Sequence, residues 1–155
     1  MHFIILMIKK SIVCTVLLLI VDASLFGDYI TSLVIIHNSL EFLSLSISVT
    51  NLVVLPNSCN DANITEFSIS AYSNLKTLVI GNNCFANVGL FSITGLSNLM
   101  SISVGDNSFS APFSSFNTFQ ISDCDKLSFI SIGKNSFTNF SSFSLHGYWL
   151  YSCIS

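Results

Sequence analysis

Residues 75–85 read LKTLVIGNNCF, and this stretch determines the fold prediction. Its apolar residues are spaced L-x-x-L-x-I, and an Asn and a Phe follow at fixed distances. The same eleven-residue pattern returns as LMSISVGDNSF at 99–109 and as LSFISIGKNSF at 127–137. A looser copy begins at Val49, and another begins at Ile30. A pattern repeated at such intervals indicates a solenoid, in which each unit buries its apolar side chains against the next unit.

A second apolar motif lies between the copies of the first. Its residues alternate with period two, which predicts a second short strand on the far side of each coil. The motif occurs at Phe67-x-Ile69, Phe91-x-Ile93, Phe119-x-Ile121 and Phe143-x-Leu145.

Small residues and one insertion mark the turns of the predicted coils. A Gly follows the first strand in three units, at Gly81, Gly105 and Gly133, where it permits a positive φ or close approach of neighbouring coils. The unit from Leu99 is longer, and its Ala111-Pro112-Phe113 segment is expected to bulge as a loop.

The pattern L-x-x-L-x-L-x-x-N-x-L resembles the conserved segment of leucine-rich repeats, and the likeness extends over residues 30–148. Phe or Cys often replaces the last Leu, which is similar to an irregular branch found in microbial and protist surface proteins. The resemblance implies a mainly β, right-handed solenoid with a parallel sheet on the concave face. A second set of short strands or turns is expected on the convex side. The resemblance also implies a binding role, without naming the ligand.

The Asn of each unit is predicted to have a structural role. Its side chain can bond backbone groups that are left open where each coil turns, so that the column forms a ladder between coils. The residues in this column are Asn38, Asn57, Asn83, Asn107 and Asn135.

The concave sheet is the candidate binding surface. Few of its residues are charged, and Asp106 and Lys134 are expected to form an exposed ion pair on adjacent coils. The predicted face comprises Asn51, Val53, Thr77, Val79, Ser101, Ser103, Phe129, Ser131, Asp106 and Lys134. No catalytic cluster, cofactor motif or metal-ligand spacing is present, so we expect no enzyme and no cofactor. A polysaccharide-cleaving solenoid that uses Asp106 is kept as an alternative.

Composition narrows the range of partners. The chain has 155 residues, a net charge of −3 and only 8% charged residues. No basic patch is available to neutralise phosphates, which argues against a nucleic-acid partner. A protein or glycan ligand is expected.

The N-terminus predicts secretion or display on the cell surface. Lys9 and Lys10 precede an apolar run at 11–21, and Val21-Asp22-Ala23 provides small residues for cleavage. We therefore expect a signal peptide at 1–23, with Met7 as an alternative start. The rival interpretations are an uncleaved membrane anchor at 3–21, which would be the only membrane contact, and a cytosolic apolar strand.

Cysteines and glycosylation sequons bear on the same question. Removal of Cys14 with the signal would leave four of the five cysteines, and a Cys59–Cys84 disulfide between adjacent coils is one option. Two N-x-[S/T] sequons predict glycans at Asn63 and Asn139, on turns away from the concave sheet.

The repeat array is predicted to span 24–150, and residues 151–155 look like the truncated start of a further unit. The expected function is recognition of a protein or a cell surface. The alternative is an uncapped fragment of a longer array, anchored to a membrane or associating end to end, without an activity of its own.

Overall fold

The computed structural model describes residues 33–147, and within this range the fold is a mainly β solenoid of about four turns. The predicted signal segment and the truncated further unit lie outside the described residues. The elements are β1 (Leu33–Ile36), α1 (Ser39–Leu43), β2 (Asn51–Val54), β3 (Glu66–Ser68), β4 (Thr77–Ile80), β5 (Leu90–Thr94), β6 (Ser101–Val104), β7 (Thr118–Ser122), β8 (Phe129–Ile132) and β9 (Ser142–His146).

Successive strands alternate between two parallel sheets. The first sheet has the order β1-β2-β4-β6-β8, and the second has the order β3-β5-β7-β9. Pairing is in register from coil to coil, so that Asn51, Thr77, Ser101 and Phe129 form one column across the first sheet. The structure therefore confirms both the parallel sheet and the second strand that the F-x-I motif predicted. Between the sheets, the inward-facing Leu, Ile and Phe side chains form one continuous core.

The first coil departs from the predicted register by one residue. The prediction placed Leu33 and Ile35 in the core, but Val34 pairs with Leu52 and Ile36 pairs with Val54. Ile36 is buried and Leu33 is half-buried on the outside of the sheet. The stretch LVII is apolar at every position, so its pattern does not distinguish the two registers.

A short helix takes the place of the second-sheet strand in the first coil. Asn38 is the N-cap of α1: its Oδ1 accepts from Glu41 N at 3.0 Å, and its Nδ2 donates to Glu41 Oε1 at 3.0 Å. Glu41 Oε2 also accepts from the backbone N–H of His37, the residue before the N-cap, so the Glu41 side chain fixes the chain where it enters the helix. We predicted that Asn38 belongs to the column of repeated asparagines, and this prediction is wrong. Asn38 caps a helix instead. Phe42 of this helix packs on Phe67 of the next coil.

Two columns of stacked phenylalanines run through the core. In one, the rings of Phe85, Phe109 and Phe137 are nearly parallel, with centroids 5.2 and 4.5 Å apart. The other follows the second sheet, and rings of the two columns meet edge to face. Offset stacking and edge-to-face contacts are the favoured aromatic geometries, so the columns align the coils as well as fill the core. The second column consists of Phe42, Phe67, Phe91, Phe119 and Phe143.

The glycine column allows the coils to approach closely, as predicted. A Cβ on Gly105 would lie 2.7 Å from Asn82 N, and one on Gly81 would lie 2.6 Å from Pro56 N. The backbone of the preceding coil occupies that space, so larger residues do not fit without moving it. The alternative role, a positive φ, does not apply to these glycines.

Candidate functional site

The outward side of the first sheet, which we call the front face, presents two columns of side chains to solvent. Alternation along each strand turns every second residue outward. The eight strand residues that the sequence assigned to the binding face all lie here. The corrected register of the first coil adds Leu33 and Ile35. The columns are Leu33, Asn51, Thr77, Ser101 and Phe129, and Ile35, Val53, Val79, Ser103 and Ser131.

The front face carries no charged side chain at these ten positions. Its first coils present Leu, Ile and Val, and its later coils present Ser. Val79 is 39% exposed and Phe129 is 55% exposed. Thr77 Oγ1 donates to Asn51 Oδ1 at 2.7 Å, which links neighbouring strands. This surface is suited to contacts through shape, apolar area and hydroxyl hydrogen bonds, and not through charge.

Asp106 and Lys134 lie at the edge of this face, but they do not form the predicted ion pair. Asp106 Oδ1 accepts a hydrogen bond from the backbone N–H of Lys134 at 2.7 Å, and Asp106 N donates to Asn82 Oδ1 at 2.9 Å. In the described part of the chain, the ion pair formed is His37–Glu41. The carboxylate of Asp106 therefore joins two coils by binding a backbone N–H. This N–H is already fixed in place, whereas an ion pair with the Lys134 ammonium would cost the conformational entropy of ordering a long side chain.

The repeated asparagines are exposed, and their side chains do not bond the backbone between coils. Asn83 Nδ2 donates to Asn57 Oδ1 at 3.0 Å, and Asn135 Nδ2 donates to Asn107 Oδ1 at 3.1 Å. All four have a positive φ between 55° and 63°. Asn tolerates this left-handed conformation better than most residues, which explains its recurrence at the turn. The predicted role in bonding open backbone groups is therefore wrong for this column.

The residue that follows each of these asparagines bonds the backbone of the neighbouring coil instead. These residues form a column of Ser58, Cys84, Ser108 and Ser136, and the first three are buried. Ser108 Oγ donates to Gly81 O at 2.8 Å, and Ser136 Oγ donates to Gly105 O at 2.7 Å. Ser58 Oγ donates to His37 O in the same way, and the Cys84 thiol donates to Leu55 O. Each residue of this serine column therefore satisfies a carbonyl of the coil before it.

The hydroxyls of the serine column also accept hydrogen bonds. Cys84 N donates to Ser108 Oγ at 3.1 Å, and Ser108 N donates to Ser136 Oγ at 3.0 Å. The Ser108 hydroxyl thus pairs a buried N–H and a part-buried carbonyl of the preceding coil, which prevents the cost of leaving them unpaired. A Ser or Cys follows the Asn in every one of these units, and this is the one trace of the column in the sequence. The sequence-based prediction assigned the role to the Asn, because either residue can bond the backbone.

The described cysteines are buried thiols that do not form a disulfide. Burial raises the pKa of Cys59 to about 12, and burial also raises the pKa of Cys84 and Cys124. Nucleophilic chemistry requires the thiolate, which these environments disfavour. The Cys59–Cys84 link considered from the sequence is not formed in this structure.

The two predicted glycosylation sites differ in environment. Asn63 is exposed. Asn139 is half-buried, and its Nδ2 donates to Ala111 O at 2.9 Å. A glycan on Asn139 would have to replace or bend this contact, because it would be attached to the same nitrogen.

Residues 33–147 contain neither a metal-binding cluster nor a helix that could span a membrane. No group of three or more His, Cys, Asp or Glu side chains is arranged to hold a metal ion. Over the same range, no helix is long and apolar enough to cross a bilayer.

Comparison with known proteins identifies no relative: no family model, no curated protein and no solved structure matches the chain. The likeness to leucine-rich repeats rests on the residue pattern quoted above.

Proposed function

We propose that this chain is a secreted or cell-surface protein of leucine-rich-repeat type that recognises a protein partner through its front face and carries out no catalysis. The observation that supports this proposal most strongly is the front face itself. It is a continuous, uncharged and solvent-accessible surface whose side chains are held in register by the pairing of five strands. The right-handed, curved form with this sheet on the concave side belongs to the same proposal.

The front face has the chemistry of a protein-binding surface. The cores of protein interfaces are depleted of charge and enriched in aromatic residues. Phe129 is an exposed aromatic anchor at one end of the face, and Val53 and Val79 form an apolar centre. Around them, the hydroxyls of Ser101 and Ser103 can hydrogen-bond a partner without the desolvation cost of a charge.

The polysaccharide-cleaving alternative depended on Asp106. Its carboxylate holds the backbone N–H of Lys134, which supports a structural role in coil stacking. Glycan binding without cleavage is the second kind of ligand that the binding experiment distinguishes.

The proposal is tested by binding of the labelled full-length chain to a panel of intact eukaryotic cells. We expect saturable binding that is lost when the cells are treated with protease and retained after glycosidase treatment. The double variant V79K/S103K places two charges on the front face and should weaken binding at least about tenfold, because charges are disfavoured in interface cores. Q120K, on the outside of the second sheet, is the matched control. Equal binding by both variants would overturn the assignment of the front face.

The proposed location is tested with the same full-length coding sequence, starting at Met1, in a eukaryotic expression host. We expect the product in the medium or on the cell surface, and N-terminal sequencing should begin at Ser24. Retention in the cytosol with an intact N-terminus would contradict it.

A further inference from the structure

We propose that the two sequons have opposite roles: Asn63 carries an N-linked glycan in the folded protein, whereas Asn139 carries none, because the fold uses its carboxamide. The modification is the transfer of an oligosaccharide from a lipid diphosphate. The C1–O bond between the sugar and the diphosphate breaks, a bond forms between C1 and Asn63 Nδ2, the amide loses one proton, and the lipid diphosphate leaves. The inference rests on the secretory location proposed above.

The first sequon lies on an exposed turn between β2 and β3. Asn63 and Thr65 are exposed, and among residues 33–147 neither side chain takes part in a hydrogen bond. Ile64 between them is buried, and its backbone N–H donates to Asp61 O at 3.0 Å. The middle residue therefore anchors the turn, while the two groups that define the sequon remain accessible to solvent. A sugar on Asn63 Nδ2 replaces no contact of the fold.

The second sequon is part of the packing between the last two coils. Asn139 Nδ2 donates to Ala111 O at 2.9 Å, and Asn139 O accepts from Asn117 Nδ2 at 3.0 Å. Phe140, its middle residue, is buried. This asparagine therefore connects its own coil to the loop between β6 and β7.

The hydroxyl of the second sequon is engaged as well. Ser141 Oγ donates to Ser115 O at 3.0 Å and to Asn117 O at 2.8 Å. The sequon is defined by a carboxamide and a hydroxyl two residues apart. At Asn139 and Ser141 both groups already bond the neighbouring loop, whereas at Asn63 and Thr65 both are unengaged.

A glycan on Asn139 would compete with closure of the loop. Glycosylation leaves one hydrogen on Nδ2 and puts a sugar in place of the other, so a half-buried amide would have to hold both the Ala111 carbonyl and an oligosaccharide. Ala111 is buried, so water has little access to replace a lost amide partner. Chains that receive a glycan at Asn139 before folding should therefore fold poorly, and the folded product should carry its glycan at Asn63.

The first test expresses the full-length chain in a eukaryotic host, as it stands and behind an added secretory signal of known function. The added signal delivers the chain to the glycosylation machinery whatever its own N-terminus does. We expect the soluble product of the second form to show one mobility shift, which glycosidase removes and N63Q abolishes. N139Q is the matched control and should leave the shift unchanged.

Two results of this experiment would overturn the proposal. One is a soluble product that has no glycan at Asn63 despite the added signal, and the other is a soluble product in which mass spectrometry maps a glycan to Asn139. A glycan at Asn63 that appears only with the added signal would support the site and contradict the proposed location, so the two failures are distinguishable.

A second measurement tests the structural role of Asn139 without any glycan. In the full-length chain made in bacteria, N139A should lower the midpoint of urea denaturation, because it removes the amide that pairs with the Ala111 carbonyl. N63A is the matched control and should leave the midpoint unchanged, since the Asn63 carboxamide has no partner in the described part of the chain. Equal midpoints for the two variants would contradict the assignment of Asn139 as a residue that the fold needs.

Discussion

The hydroxyl of Ser108 donates to the carbonyl of Gly81, one coil away, across 2.8 Å. The same oxygen accepts the backbone N–H of Cys84 at 3.1 Å. A single buried side chain thus pairs two backbone groups at the point where the first strand ends and the coil turns. The serine column repeats this connection from coil to coil, and the stability of the solenoid should depend on it.

Removal of this hydroxyl should destabilise the fold. In S108A, the buried Cys84 N–H and the part-buried Gly81 carbonyl both lose their partner, and we expect a total loss of about 1–3 kcal/mol, most of it from the N–H. Urea denaturation monitored by circular dichroism measures the loss. S110A is the matched control, since Ser110 is exposed, and it should change the free energy of unfolding by no more than about 0.5 kcal/mol. Equal free energies of unfolding for S108A and S110A would contradict a stabilising role of the serine column.

The asparagine column should stabilise the fold by tolerating a positive φ, and not through its side-chain amide. Asn107 has φ 55°, which Gly adopts freely and Ala does not. We expect N107G to leave the free energy of unfolding within about 0.5 kcal/mol of wild type, and N107A to lower it by about 1–2 kcal/mol. If N107G lost as much stability as N107A, the carboxamide itself would be the important group.

The stacked phenylalanines should contribute more than any exposed aromatic ring. Phe109 is fully buried and contacts Phe85 and Phe137 in its own column. F109A should lower the free energy of unfolding by about 3–5 kcal/mol, because it leaves a cavity between two coils. F113A removes the same side chain from an exposed position and should have an effect under about 0.5 kcal/mol. A small effect of F109A would show that the core closes around the missing ring.

Acid should weaken the first coil through Glu41. Its hydrogen bonds from the backbone and side chain of His37 lower its pKa below the ordinary value of 4.5. A lowered folded-state pKa contributes stability above the unfolded-state value, and this contribution is lost as pH falls through the folded-state value. We therefore expect wild type to be more stable than E41Q at neutral pH, and the difference to shrink below pH 4.5. Denaturation midpoints of both proteins across this range measure it, and a difference independent of pH would contradict the capping role.

The repeat pattern predicted the coils from Val49 onward because each contains a polar residue at a fixed distance from its apolar positions. In the first coil, Asn38 stands one residue before the position equivalent to Asn57, and Leu33–Ile36 is apolar throughout and cannot correct the error, so the register was predicted one residue out. The prediction of the front face is still correct for the later coils, because their strands were assigned in the right register. A pattern of apolar residues identifies the sheet, but a one-residue slip exchanges its two faces.

Side-chain roles were harder to predict than positions. Asn and Ser recur side by side, and both can bond backbone groups, so the sequence does not show which of them faces the core. The pairing of Asp106 with a backbone N–H depends on how closely two coils approach at Gly105 and Gly133, which is a property of the stacked array. The same is true of Asn139, whose sequon does not reveal that its amide is bonded to the neighbouring loop.

Photo-cross-linking from the two faces of the solenoid tests most directly whether the front face recognises a protein. A benzophenone side chain is placed at Val79 or Ser103 on the front face, and at Ser92 or Gln120 on the outside of the second sheet, and each full-length chain is irradiated on intact cells. If the front face binds a protein, both front positions should give one adduct of constant size, and the other two positions should give none. Adducts of equal yield from the second sheet, or adducts from that sheet alone, would contradict it.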